Sequence, residues 1–117
     1  MSLYFITGNK NKFEEAKAII GDELVQLDID LPEVQSLDPK IIISSKINEA
    51  LKSHKGEFIV EDTSLCLDSL NGFPGPLIKW FLVSVGLEGI YRIADSMGNN
   101  EARAITMIGY YDGKQIY

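Results

Sequence analysis

A short apolar run at positions 3–7 breaks into Gly8-Asn9-Lys10-Asn11-Lys12 and then into a helical pattern, and this junction constrains the fold more than any other stretch of the chain. Phe13, Ala16, Ile19 and Ile20 recur at the spacing of one helix face, and Gly21 closes the pattern. A buried strand feeding directly into a helix is the repeating unit of α/β proteins. At such a junction Gly8 lets the backbone come close to a ligand, and the first free N–H groups of the helix favour an anion. Asn9 adds an amide donor, and Lys10 and Lys12 add positive charge. The segment lacks the Gly-Lys-Ser/Thr ending of a Walker A loop and is not a Gly-x-Gly-x-x-Gly dinucleotide fingerprint. Alone, it suits an ordinary solvated turn equally well.

The rest of the chain continues the alternation. Residues 23–29 read as a strand, and Leu31-Pro32-Glu33-Val34-Gln35 as an extended piece or loop. Ile43, Ile47, Ala50, Leu51 and His54 mark one face of a second helix that ends at Gly56. Residues 58–60 form the next strand, and an extended stretch follows over 64–70. Gly72-Phe73-Pro74-Gly75-Pro76 reads as a stiff turn, with Pro76 as the first residue of an apolar helix through Val85. A short helix over 88–95, a strand over 102–111 and an Asp112-Gly113 hairpin turn complete the pattern. The fold class is therefore α/β with a mixed sheet flanked by helices, since crossover helices require parallel pairs and the terminal hairpin an antiparallel one. No linker or repeat divides the 117 residues, which predicts a single domain over 1–117.

Glu61 and Asp62 follow the apolar Ile59-Val60, where a buried strand emerges and where open α/β sheets bind ligands. Neighbouring strand residues point to opposite faces, so one of the two looks into a cleft. Asp62 is the expected one, with Glu61 orienting or joining it. Glu33 offers a further oxygen. Mg²⁺ takes one or two carboxylates together with phosphate oxygens and water, so these acids suffice for it, although acids at strand ends also occur simply as solvated or capping groups.

The formal charge of −6 and a pI near 4.7 argue against a polymeric nucleic-acid partner, which needs a broad basic face. A small anion remains compatible, because a few lysines and a metal make a local positive site on an acidic protein. No long apolar run or signal peptide is visible, so a soluble cytoplasmic protein is expected, and the lone Cys66 suits a reducing compartment. Cys66 alternates with leucines and is expected to be buried; His54 is expected to pack or cap a helix end; Tyr110 and Tyr111 are expected on a sheet surface.

Four segments, in order, resemble the inosine triphosphate pyrophosphatase family, also called the non-canonical purine NTP pyrophosphatases or the Ham1-like family. They are Thr7-Gly8-Asn9-Lys10-Asn11-Lys12, Leu31-Pro32-Glu33-Val34-Gln35, Val60-Glu61-Asp62-Thr63-Ser64-Leu65 and Gly72-Phe73-Pro74-Gly75-Pro76-Leu77-Ile78-Lys79-Trp80-Phe81. The ordered set is far more specific than any one segment. The resemblance implies hydrolysis of ITP, dITP or XTP between the α and β phosphates, an elongated sheet, two lobes and a homodimer. It implies that Thr7, Gly8, Asn9 and Lys12 hold the triphosphate, with Lys46, Glu61 and Lys79 also among the substrate-binding residues. It further implies that Glu33 and Asp62 position Mg²⁺ and that Asp62 orients or deprotonates the attacking water. Lys46 and Lys79 also read as exposed helix lysines, and Trp80 and Phe81 as core or dimer contacts.

Family members continue into a Phe-Gly-x-Asp loop, a lysine and a Ser-His-Arg motif that hold the base, and these are not found before Tyr117. The expectation is thus a phosphate and metal half of a site in an incomplete domain, with weak discrimination between bases. Two function classes follow: a Mg²⁺-dependent nucleoside triphosphate pyrophosphatase, including relatives acting on other modified nucleotides, or a non-catalytic module that binds nucleotide weakly or self-associates.

Overall fold

The computed structural model describes residues 2–117. Its elements in chain order are β1 (Leu3–Ile6), α1 (Lys10–Ile20), β2 (Leu24–Leu27), α2 (Pro39–Leu51), β3 (Phe58–Leu67), a single 3-10 turn (Asp68–Leu70), β4 (Pro74–Gly75), α3 (Ile78–Ser96) and β5 (Ala102–Tyr111). The sheet is mixed, as the sequence pattern requires. β1 pairs in parallel with both β2 and β3, in the registers Leu3↔Leu24 and Tyr4↔Phe58. β3 pairs antiparallel with β4 through Leu65↔Gly75 and Cys66↔Pro74, and β5 also pairs with β3.

The described residues fall into two compact units: one of residues 2–34, 43–61 and 108–117, the other of residues 35–42 and 62–107. In the first, Phe5, Phe13 and Leu24 form a buried cluster, with Leu3, Ala16 and Ile59 packed against it. Phe13 and Ala16 thus do what the helical spacing predicts. Ile19 and Ile20 do not: Ile19 is 86% exposed and Ile20 40%, at the last turn of α1. In the second unit Leu67, Ile90 and Ala94 are buried beneath Leu65, Leu70, Ile78 and Phe81.

Two element boundaries differ from the sequence pattern in ways that affect the site. β3 is one strand of 10 residues rather than a short strand followed by a separate extended piece, so Glu61 and Asp62 lie within it and not at its end. Its burial alternates, with Val60, Asp62 and Ser64 buried and Ile59, Glu61 and Thr63 half-buried. α2 begins earlier and ends earlier than its apolar face suggests. Asp38 caps it by accepting the Lys40 N–H at 3.0 Å, Pro39 opens the first turn, and the helix stops at Leu51, which leaves His54 outside.

α3 begins at Ile78, two residues beyond Pro76, and is interrupted at Gly86 (φ 71°, ψ 174°). The two predicted helices are the halves on either side of that break. β5 and the hairpin after it follow the sequence reading. Tyr110 and Tyr117 exchange backbone hydrogen bonds of 3.1 and 2.8 Å, closing the turn whose Asp112 carboxylate accepts the N–H groups of Lys114 and Gln115. Those donors hold the Asp112 carboxyl below its ordinary pKa.

Candidate functional site

The β1–α1 junction is assembled by its own polar side chains. Asn9 has extended backbone angles and caps α1, its Oδ1 accepting the Lys12 N–H at 3.1 Å. This uses the carbonyl oxygen of Asn9 rather than its NH₂ group, whose donor capacity the cap does not consume. The Asn9 N–H donates to Thr7 Oγ1 at 3.1 Å. Thr7 is in turn fixed on both sides: its N–H donates to the Leu27 carbonyl at 3.2 Å, and its carbonyl accepts from Gln26 Nε2 at 3.0 Å. Gln26 is a positioning residue that the sequence did not reveal, since a polar side chain within an amphipathic strand carries no distinguishing signal. Gly8 is exposed, and a Cβ there would lie 3.3 Å from Asp28 Oδ1. The glycine therefore leaves room for Asp28.

Two lysines of this unit converge on β3. Lys12, from α1, places Nζ 2.8 Å from Glu61 Oε1; the side chains are 38% and 13% exposed. Lys46, from α2, donates to the main-chain carbonyl of Glu61 at 2.9 Å and lies 3.7 Å from Glu33 Oε1. Four of the residues singled out in the sequence, Lys12, Glu33, Lys46 and Glu61, thus meet in one unit, close to the N-terminal end of α1. The lysines are held extended toward β3 rather than lying free on their helices.

Asp62 and Lys79 belong to the second unit. Asp62 is 7% exposed, on the buried face of β3. A carboxylate so far withdrawn from water requires hydrogen bonds or cations around it. Lys79, in the first turn of α3, is exposed, with Nζ 5.3 Å from the centroid of the Trp80 ring. Trp80 is 53% exposed and donates from Nε1 to Gln35 Oε1 at 3.0 Å, so it is not a core residue, whereas Phe81 packs on the unit's core.

Among the described residues, no group of three or more His, Cys, Asp or Glu side chains forms a closed metal cage. The available donors are carboxylate oxygens, the hard ligands that Mg²⁺ takes, and Mg²⁺ needs only one or two of them when phosphate and water fill its remaining positions. The donor set therefore fits that ion in kind.

Of two bystanders, one differs from expectation. Cys66 is half-exposed rather than buried and borders, with Ser64, Phe73 and Ile105, a cavity of about 350 Å³ in the second unit. His54 packs as expected, edge-on to Tyr4 with ring centroids 4.8 Å apart and beside Phe58 at 5.9 Å.

A sequence model of the Ham1 family matches residues 3–117. The chain belongs to the Ham1 family. The inosine triphosphate pyrophosphatase of Schizosaccharomyces pombe is 43% identical to it over 114 residues, which cover 96% of this chain and 60% of that protein. This chain therefore spans about 60% of the length of that curated relative. Among solved structures, the Mycobacterium abscessus nucleoside-triphosphatase / dITP/XTP pyrophosphatase superposes with a TM-score of 0.72 at 17% identity, covering 100% of this chain and 69% of the other. The Staphylococcus aureus Ham1 protein gives 0.69 at 19% identity, with 100% and 67% coverage. At such identities the likeness establishes the fold: the mixed α/β sheet flanked by helices is that of the Ham1 structures.

Proposed function

We propose that this chain carries the phosphate- and metal-handling residues of a Mg²⁺-dependent nucleoside triphosphate pyrophosphohydrolase acting on non-canonical purine nucleotides (ITP, dITP and XTP). The observation that carries the proposal is the meeting of Lys12 and Lys46 at Glu61, beside the capped N-terminus of α1, in a member of the Ham1 family. Two ammonium groups and a helix N-terminus suit a polyphosphate. The inosine triphosphate pyrophosphatase similar to this chain supports the substrate class.

In this reading Thr7, Asn9, Lys12 and Lys46 grip the triphosphate, and Lys79 is a further substrate-binding lysine. Glu33 and Asp62 would hold Mg²⁺, which when bound neutralises charge on the phosphates. Asp62 orients the attacking water and accepts its proton as oxygen bonds to the α-phosphorus. The α–β bridging bond breaks, and pyrophosphate leaves with its electron pair. No nucleophilic side chain or histidine base is needed, which agrees with His54 being packed among aromatic rings.

Pyrophosphate release from ITP, XTP, ATP and GTP tests the proposal. The expected result is Mg²⁺-dependent release that Asp62→Asn abolishes with the fold retained, because the carboxamide keeps the shape but lacks the charge needed to hold the metal or take a proton. Hydrolysis by Asp62→Asn at the parental rate would remove Asp62 from this role.

A second reading, self-association into a homodimer, is favoured by apolar residues exposed on both halves of α3. Trp80, Val83, Leu87 and Tyr91 are 53%, 74%, 76% and 57% exposed, an apolar series more extensive than isolated surface residues require. The two readings are compatible. Sedimentation of the chain is expected to give a dimer that Leu87→Lys weakens, and a monomer at high concentration would contradict it. Among the described residues no helix is long and apolar enough to cross a membrane; a cytoplasmic location belongs to the proposal.

A further inference from the structure

Lys12 meets a carboxylate where a phosphate ligand is wanted. Its Nζ lies 2.8 Å from Glu61 Oε1, and the glutamate side chain is only 13% exposed. An ionised carboxylate accepts hydrogen bonds but cannot donate one to a phosphate oxygen. Nor can Lys12 grip a polyphosphate from this position without bringing two anions together. Resting on the reading of the first unit as a triphosphate cradle, we infer that Glu61 is a counter-charge and not a substrate ligand. Lys12 gives up or shares this partner when polyphosphate binds, and the charge on Glu61 sets how tightly polyphosphate is held and how strongly the binding depends on a divalent cation.

Two effects of Glu61 oppose each other. By anchoring Lys12 it removes the disorder of one long side chain before the ligand arrives, which favours binding. Its negative charge repels the ligand, and this repulsion is multiplied by every charge on a polyphosphate at short range in a site only partly open to water. The second effect is the larger, because one ordered side chain is set against several unfavourable charge pairs. A divalent cation beside the phosphates offsets the field of Glu61, so the cost is greatest when no such cation is present. Lys46 is affected differently: it donates to the Glu61 main-chain carbonyl, which side-chain substitution leaves in place.

The test is titration of inorganic tripolyphosphate into the parent chain and its variants at low ionic strength, with and without Mg²⁺. Glu61→Gln keeps an acceptor for Lys12 and removes the charge, and is expected to bind about 10-fold tighter than the parent without Mg²⁺ and only about 3-fold tighter with it. Glu61→Ala should tighten binding less, having lost the anchor as well, and Glu61→Asp should remain close to the parent. A gain of affinity cannot come from partial unfolding, which separates this role from a structural one. Equal or weaker binding by Glu61→Gln, or equal tightening by Glu61→Asp, would overturn the inference. Lys12→Ala distinguishes the two levels: if it binds tripolyphosphate as tightly as the parent, the cradle itself is wrong, whereas if it binds more weakly while Glu61→Gln shows no gain, only the role of Glu61 fails.

Discussion

Tyr110 shows how a single side chain couples the end of the chain to pH. Its hydroxyl donates to Glu57 Oε2 at 2.6 Å, and that hydrogen bond, followed by burial and the Glu57 charge, pushes its pKa from 10.0 up to about 12. The neutral phenol is therefore favoured in the folded chain. A group whose folded pKa is raised contributes stability that is present below its unfolded value and lost as pH rises through the folded one. Between pH about 10 and about 12 the parent is expected to lose more stability than Tyr110→Phe, measured as the shift in urea midpoint with pH; parallel curves would show the bond to be inconsequential. Nothing in the sequence marked Glu57 as the partner, because residues 53 apart are joined only by the strand pairing. At the other residues legibility followed the length of the interaction: the Asn9 cap and the Asp112 turn are local and could be read, whereas the Gln26 bond to Thr7 and the Lys12–Glu61 pair are not local.

Among the elements, β3 and α2 show where pattern reading succeeds and where it stops. β1, α1 and β5 were legible within a residue or two, since each combines an apolar periodicity with a local stop such as Gly21 or Asp112-Gly113. β3 read as two pieces because Glu61, Asp62, Thr63 and Ser64 interrupt its apolar run, yet the backbone remains extended and carries these polar groups in alternation. Polarity and burial disagree along this strand, with Asp62 and Ser64 buried despite their chemistry. The face of α2 was legible but not what it packs on. A Cβ at Gly109 would come within 2.6 Å of Ile43 Cγ2, 2.8 Å of Ile47 Cδ1 and 3.2 Å of Val60 Cγ2. The Ile47 tip can rotate aside, but the Ile43 methyl is attached at its stiff β-branch. Gly109→Ala is therefore expected to destabilise the chain by about 1–3 kcal/mol through overpacking, read as a lower urea midpoint. An unchanged midpoint would mean that α2 shifts outward without cost. Gly86 breaks α3 by its positive φ, and the outward apolar residues on either side of it explain why a hydrophobic helix in the sequence is not a buried one.

At the scale of the whole molecule, a chain of net charge −6 balances Lys12 and Lys46, the cations proposed to bind phosphate, with acids. The proposed site would work at short range and with a metal, in contrast to the broad basic surface that a nucleic-acid binder presents. The central claim is that Lys12 and its neighbours hold the triphosphate whatever base it carries, since ammonium groups and a helix N-terminus meet phosphate oxygens and not a purine edge. Discrimination between a keto and an amino purine requires groups that hydrogen-bond that edge. The most direct measurement is the affinity for ITP and ATP, side by side, of this chain and of Lys12→Ala, with Mg²⁺ at low salt. The account predicts that both nucleotides bind with affinities within about threefold of each other, that Lys12→Ala weakens both by about tenfold, and that the loss shrinks as salt rises. Unchanged affinity of Lys12→Ala for both nucleotides would contradict it.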